Sequence, residues 1–289
     1  MRTEQEMLEL VLTIASQDDR IRAVGMNGSR TNKNAPKDIF QDYDVIYFVT
    51  EMESFLKESN WIDRFGDQII MQTPEDSDLF PPSLGGDFTY LMQFTDGNRI
   101  DLRLSLVGKV TDWMKEDRLA SVLLDKDILF PKLLEPTDED YWVKKPTQKM
   151  FVDCSNEFWW VSTYVAKGLW RKEILYAYDH LNIMRNMLHL MLKWKVGIDK
   201  DFKVSIGKNA KYLDRYLDSL TWSGLLKTYP RVYEDEIWSS LWSMTSLFEE
   251  VAEDVAKKLQ FTYPPFDTEK VKAYLKHISN LPRDAKEIY

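Results

Sequence analysis

Two small groups of residues in this chain are of the types that handle phosphate. Gly28-Ser29 follows an apolar run, and after a gap of twelve residues Asp42-Tyr43-Asp44 opens a stretch rich in β-branched and aromatic side chains. A third acid, Asp101, lies inside a later strand-like run. Glycine lets the backbone approach a phosphate closely, and Ser29 with its neighbouring N–H groups can donate to phosphate oxygens. Arg30 or Lys33 could add positive charge there. In a strand, residues two apart share a face and stand roughly 6.5–7 Å apart. Asp42 and Asp44 therefore present two carboxylates side by side, which repel unless a cation or a proton intervenes. Magnesium suits them, because it prefers hard oxygen ligands and keeps positions for substrate phosphates. The combination points to chemistry on a nucleoside triphosphate.

Asp101 sits in Arg99-Ile-Asp-Leu-Arg-Leu-Ser105. Strand alternation puts Ile100, Leu102 and Leu104 on one face and Arg99, Asp101 and Arg103 on the other. An acid between two arginines alone reads as an ion pair. Beside Asp42 and Asp44 it reads as a third metal ligand, and as a base for an attacking hydroxyl if one oxygen stays free.

These residues need strands to hold them. Met7, Leu8, Leu10, Val11 and Ile14 form a helical stripe over residues 3–17, and Ile21–Met26 is a short buried strand. The segment 31–41 reads as a short helix or loop, and Tyr43–Val49 is the clearest strand of the chain. A helix is expected over 53–65, a strand at 68–72 and a loop at 76–86. Strands over 88–95 and 98–107 meet at Asp96-Gly97, a tight-hairpin dipeptide. A helix at 111–119 and a strand at 121–124 complete a mixed α/β region. Beyond Pro131, Pro136 and Pro146 the periodicity becomes helical, at 155–169, 171–195, 208–219, 232–260 and 267–280. The expected fold class is α+β: residues 1–135 form a mixed sheet flanked by helices, and residues 147–289 an all-α bundle.

Composition narrows the partners. With 38 basic and 47 acidic residues the net charge is −9, which disfavours nucleic acid and suits a cationic second substrate. Ten tryptophans are many; most should be core, and some could line a cleft for a sugar or base. The single Cys154 allows no internal disulfide and fits a reducing compartment. No secretory leader and no run of about 18 apolar residues occurs, so a cytoplasmic protein without membrane contact is expected.

The order strand, Gly-Ser, gap, Asp-x-Asp, strand, distant Asp excludes two other users of Asp-x-Asp. Aspartate-nucleophile phosphatases carry the acids at the end of an apolar strand, whereas here the apolar run follows them. Nucleotide-sugar glycosyltransferases place them after a nucleotide-binding βαβ core, which is not found. Over residues 20–105 the order resembles the polymerase-β-like nucleotidyltransferase superfamily, with no departure at the three acids. Across most of the chain the sequence resembles the aminoglycoside 6-adenylyltransferases, which modify streptomycin. The resemblance rests on Met26-Asn-Gly-Ser-Arg-Thr31, Phe40-Gln-Asp-Tyr-Asp-Val45, Asn98-Arg-Ile-Asp-Leu102 and Phe158-Trp-Trp-Val161. Tyr164-Val-Ala-Lys-Gly-Leu-Trp-Arg171 and Tyr178-Asp-His-Leu-Asn182 extend it into the helical part.

The resemblance implies a nucleotidyltransferase fold in the first region and a substrate-binding role for the second. It implies ATP, magnesium and a cationic aminoglycoside as partners, with AMP passing to the 6-hydroxyl of streptomycin and pyrophosphate leaving. Asp42, Asp44 and Asp101 would hold metal, and Gly28, Ser29 and Arg30 the nucleotide. Glu157, Trp160, Tyr164, Lys167 and Arg171 share one helical stripe, which reads equally as a solvated face. The resemblance favours Lys167 on the triphosphate and the rings as a substrate wall. On the next helix Asp179, Asn182, Asn186 and His189 are aligned, with Asp179 the expected substrate contact. Glu157 or Asp179 would be the rival general base. Lys208 and Lys211 follow Ser205-Ile-Gly207 at an expected helix start, either a phosphate-binding N-terminus or an ordinary cap. Two other readings stand beside this one: a nucleotidyltransferase with a protein or RNA acceptor, and a non-catalytic nucleotide-binding protein.

Overall fold

Alternation on two strands sets the frame of the first half. In Tyr43–Val49 (β2), Tyr43, Val45, Tyr47 and Val49 join one core cluster while Ile46 and Phe48 join another. The strand is thus buried on both faces and must lie in the middle of a sheet. The computed structural model describes all residues except Ser59, 132–134 and 264–265. It falls into two compact units, Met1–Asp140 and Tyr141–Tyr289.

In the first unit α1 (Glu4–Gln17) leads into β1 (Ile21–Asn27), β2 and α2 (Glu53–Lys57). There follow β3 (Gln68–Gln72), β4 (Phe88–Phe94), β5 (Arg99–Leu106), α3 (Val110–Glu116) and β6 (Ser121–Asp125). The six strands form one sheet in the order β3-β4-β5-β2-β1-β6. Among the described residues only β2 and β5 pair in parallel, and the other four pairings are antiparallel. On one face α1 buries Met7, Val11 and Ile14 with Phe55, Phe65, Leu102 and Leu104. On the other, Val110 and Trp113 of α3 cover Ala23, Ile46 and Phe48. Asp44 shares a strand face with Ile46 and Phe48, one step beyond the end of that cover.

The turn between β4 and β5 closes as its sequence requires. Gly97 N–H bonds the Phe94 carbonyl at 3.0 Å with Gly97 at φ +89°, a conformation that favours glycine. Asp96 accepts from the Arg2 backbone and side chain at 2.9 and 2.7 Å, and from Asn98 at 3.0 and 2.9 Å. The Arg2 hydrogen bond, assisted by the other donors, holds its carboxyl well below the usual carboxylate range. A carboxylate held in this way stabilises the fold above the unfolded pKa and stops doing so as pH falls through the folded one. Asp96→Asn is therefore expected to lose about 1–3 kcal/mol at neutral pH. The deficit should shrink below about pH 4, where the carboxylate becomes protonated in the unfolded chain. Denaturant titrations of both proteins at pH 7 and pH 3 check this; an equal difference at both would remove the charge from the explanation.

The second unit is helical: α4 (Gln148–Trp170), α5 (Ile174–Asp199), α6 (Ser219–Leu226), α7 (Glu234–Leu259) and α8 (Thr268–Asn280). Thr147 caps α4 by accepting from Met150 N–H at 3.1 Å. Phe158 of α4 stacks on Phe248 of α7 at 3.7 Å, and Trp159, Leu181, Met184 and Trp194 fill the core around them. None of the described helices is long and apolar enough to cross a membrane.

Two local expectations are corrected and one open alternative is decided. The helix over 53–65 is broken: α2 ends at Lys57 and a separate 3-10 turn spans Trp61–Phe65, with Ser59 outside the described residues. Of the two alternatives for 31–41, a short helix or a loop, the segment takes the second, forming turns and loop. The helix over 208–219 is instead two 3-10 turns, and α6 begins only after Asp218. Gly207, Asn209 and Ala210 all have positive φ, which ends any regular helix at its start. Leu213, Tyr216 and Leu217 imitate a helical stripe but fold onto the core as an irregular turn. Lys208 and Lys211 consequently do not stand at an α-helical N-terminus. Asp218 supplies the true cap, accepting from Leu220 and Thr221 N–H at 3.0 and 2.9 Å.

Candidate active site

Strand pairing assembles the site. The parallel register of β2 and β5 sets Asp44 opposite Asp101, and the antiparallel register of β1 and β2 sets Asn27 opposite Asp44. Asp42 lies just before β2. Asp42, Asp44 and Asp101 each offer a carboxylate oxygen, and all three oxygens lie within 4.8 Å of one another. Burial pushes the Asp44 carboxyl up to about 6, and the charges of Asp42 and Asp101 push the same way. Asp101 accepts a two-pronged bond from Arg99, at 2.7 and 2.8 Å. Three converging hard oxygen donors, two of them raising the proton affinity of the third, are a donor set that fits a divalent cation.

The Gly28 turn packs directly against this cluster. Gly28 has φ +78°, and a Cβ there would stand 1.9 Å from Asp44 Oδ2. Both the backbone conformation and the contact demand glycine. Gly28–Arg30 form one 3-10 turn, pinned by Thr31 Oγ, which donates to the Gly28 and Leu119 carbonyls at 2.9 and 3.0 Å. Asn27 Oδ1 accepts from Trp113 Nε1 at 2.8 Å, tying the end of β1 to α3. Gln41 Nε2 donates to Ser29 Oγ at 3.3 Å. Arg30 turns its guanidinium onto the loop before β2, and Lys33 pairs with exposed Glu135 at 2.7 Å.

The helical residues fall in the second unit. On α4, Glu157 is exposed, Trp160 is 58% exposed, and Tyr164 and Lys167 are half-buried. Trp160 Nε1 donates to Tyr164 Oη at 2.8 Å, and the Lys167 ammonium lies 4.8 Å from the Tyr164 ring centre. Asp179 is exposed on α5. Two residues that the sequence reading did not place here join this group from α5. His180 meets the Tyr164 ring edge-on at 5.4 Å, and Tyr176 lies 4.1 Å from His180. The available signal was Gly168, where a Cβ would come within 2.8 Å of Tyr176, so its absence lets that ring approach α4. Farther along α5, Asn182 accepts from Arg185, and His189 hydrogen-bonds Tyr229 Oη at 3.0 Å.

A mixed sheet that converges carboxylates from neighbouring strands beside a glycine turn is nucleotidyltransferase architecture. The family described as streptomycin adenylyltransferase matches residues 1–278. An aminoglycoside 6-adenylyltransferase of Bacillus subtilis (strain 168) is 47% identical over 269 residues, covering 92% of this chain and 95% of that protein. One from Campylobacter jejuni is 46% identical over 276 residues, 95% of each. A crystal structure of an aminoglycoside 6-adenyltransferase from Bacillus subtilis shares 41% identity at a TM-score of 0.48, covering 97% of this chain and 100% of that one. The chain belongs to the streptomycin adenylyltransferase family and is an enzyme of the nucleotidyltransferase class.

Proposed function

We propose that this enzyme transfers AMP from ATP to the 6-hydroxyl of streptomycin, with magnesium, and releases pyrophosphate. The observation that carries the reading is the convergence of Asp42, Asp44 and Asp101 within 4.8 Å beside Gly28, in a member of this family. Asp42, Asp44 and Asp101 would hold the divalent cation, whose chemistry is to stabilise charge on the phosphate oxygens during in-line displacement. Gly28 and Ser29 would present N–H and hydroxyl donors to the phosphates, and Lys167 would add a cation from α4.

In the transfer the acceptor oxygen forms a bond to the α-phosphorus as the bond to the bridging oxygen of the β-phosphate breaks. The hydroxyl proton passes to a carboxylate, for which Asp101 is the first candidate and Glu157 or Asp179 the alternative. Arg99 occupies both Asp101 oxygens, and its half-exposed side chain must yield one of them for that role. The acceptor side would be formed by Glu157, Trp160, Tyr164 and Asp179, where carboxylates suit the guanidinium groups of the drug and the indole supplies a wall.

The test is pyrophosphate release from ATP and magnesium across a panel of aminoglycosides. Release with streptomycin alone is the expected result. Release with other members but not with streptomycin would overturn the acceptor, and none with any drug would overturn the reaction.

A further inference from the structure

Arg30 is not a free cation at the mouth of the glycine turn. Its side chain is only 9% exposed and lies beneath the loop that carries Asp42. Nε donates to the Asp42 carbonyl at 2.9 Å and Nη2 to the Gln41 carbonyl at 2.8 Å. The guanidinium carbon stands 3.6 Å from the centre of the Tyr43 ring, and Nη1 reaches Glu4 of α1 at 3.5 Å. Three successive residues, with Asp42 in the middle, are therefore gripped by one side chain.

Asp42 needs such a grip. The sheet ladder reaches only to Tyr43, so no strand partner holds Asp42 in place. The loop ahead of it offers no packing either: Ile39 and Phe40 are 70% and 87% exposed. Asp44 and Asp101, within 4.8 Å, repel the Asp42 carboxylate outward whenever no cation lies between them. Holding the Asp42 carbonyl opposes that motion.

We propose that Arg30 is the positioning residue of the metal centre, clamping Gln41–Tyr43 so that the Asp42 carboxylate is preset for a divalent cation. The proposal rests on the reading of Asp42, Asp44 and Asp101 as metal-holding. It also explains the residue type. Arginine is planar and can donate along two edges while stacking a face on Tyr43; a lysine ammonium cannot do all three.

The experiment measures Mn2+ binding by electron paramagnetic resonance, without nucleotide, in the wild type, Arg30→Lys, Arg30→Ala and Asp44→Asn. Groups that orient metal ligands typically contribute 10–100-fold in affinity. Both Arg30 variants are therefore expected to weaken Mn2+ binding at least about tenfold. Lysine should fail to rescue although it keeps the charge, and circular dichroism should show that the lysine variant is folded. Binding of ATP in the presence of a chelator should be unchanged in Arg30→Lys. Wild-type Mn2+ affinity with weakened chelator-ATP binding would make Arg30 a phosphate contact and overturn the proposal. A wild type that binds Mn2+ no better than Asp44→Asn would overturn the metal reading itself, a result separable from failure of the clamp alone.

Discussion

Asp44→Asn is expected to lower turnover by roughly three orders of magnitude while leaving the protein folded and no less stable. A metal that stabilises transition-state charge is worth several kcal/mol, and each 1.4 kcal/mol is about tenfold in rate. Asp44 is the centre of the cluster: it lies between its neighbour Asp42 and its strand partner Asp101, and it is the one whose carboxyl is driven up to about 6. An amide of the same shape removes one charge from a site where three repel, so the metal-free protein gains what the active site loses. Melting curves make the two effects separable. Magnesium should raise the melting temperature of the wild type, because a ligand that binds only the native state stabilises it. It should not raise that of Asp44→Asn. Turnover close to wild type in this variant would sink the metal centre.

The second large effect is expected from the smallest substitution. Gly28→Ala places a methyl 1.9 Å from Asp44 Oδ2, far inside any contact distance, at a backbone φ of +78°. The left-handed conformation costs about 1–2 kcal/mol for a residue with a Cβ. That is tolerable for a domain of this size and lowers the melting temperature by a few degrees. The displaced carboxylate is the larger loss. A misplacement of about 1 Å at a reacting centre can reduce rate 10²-fold. A turnover loss of about 100-fold with a small melting shift is the expected pair of results. The same substitution giving a large stability loss and normal specific activity would show that Gly28 serves the fold and not the site.

Much of the first unit could be read from residue order. β-Branched and aromatic richness marked β2, and period-two alternation marked β5 and put Asp101 on its polar face. Asp96-Gly97 announced the hairpin that joins β4 to β5. Stripes at helical spacing marked α4, α5, α7 and α8, whose apolar faces are wide enough to dominate local propensity. The failure over 208–219 came where several residues take up positive φ, at Gly207, Asn209 and Ala210, because apolar spacing does not register backbone handedness.

By itself, then, the chain determined which side chains were available, an acid just before one strand and a second at its start, a third within another strand, and a glycine ahead of them. It also determined on which face of its strand Asp44 and Asp101 would each stand. Only the tertiary structure decided that β2 and β5 lie side by side and in parallel, with Asp44 opposite Asp101, though 57 positions separate those residues. It also decided that Gly28 leaves room for the Asp44 carboxylate, and that Arg30 grips the Asp42 loop with its guanidinium stacked on Tyr43. The reason is physical. Alternation depends on neighbours along the chain, whereas register, strand direction and close approach depend on how two faces of a sheet fill their cores.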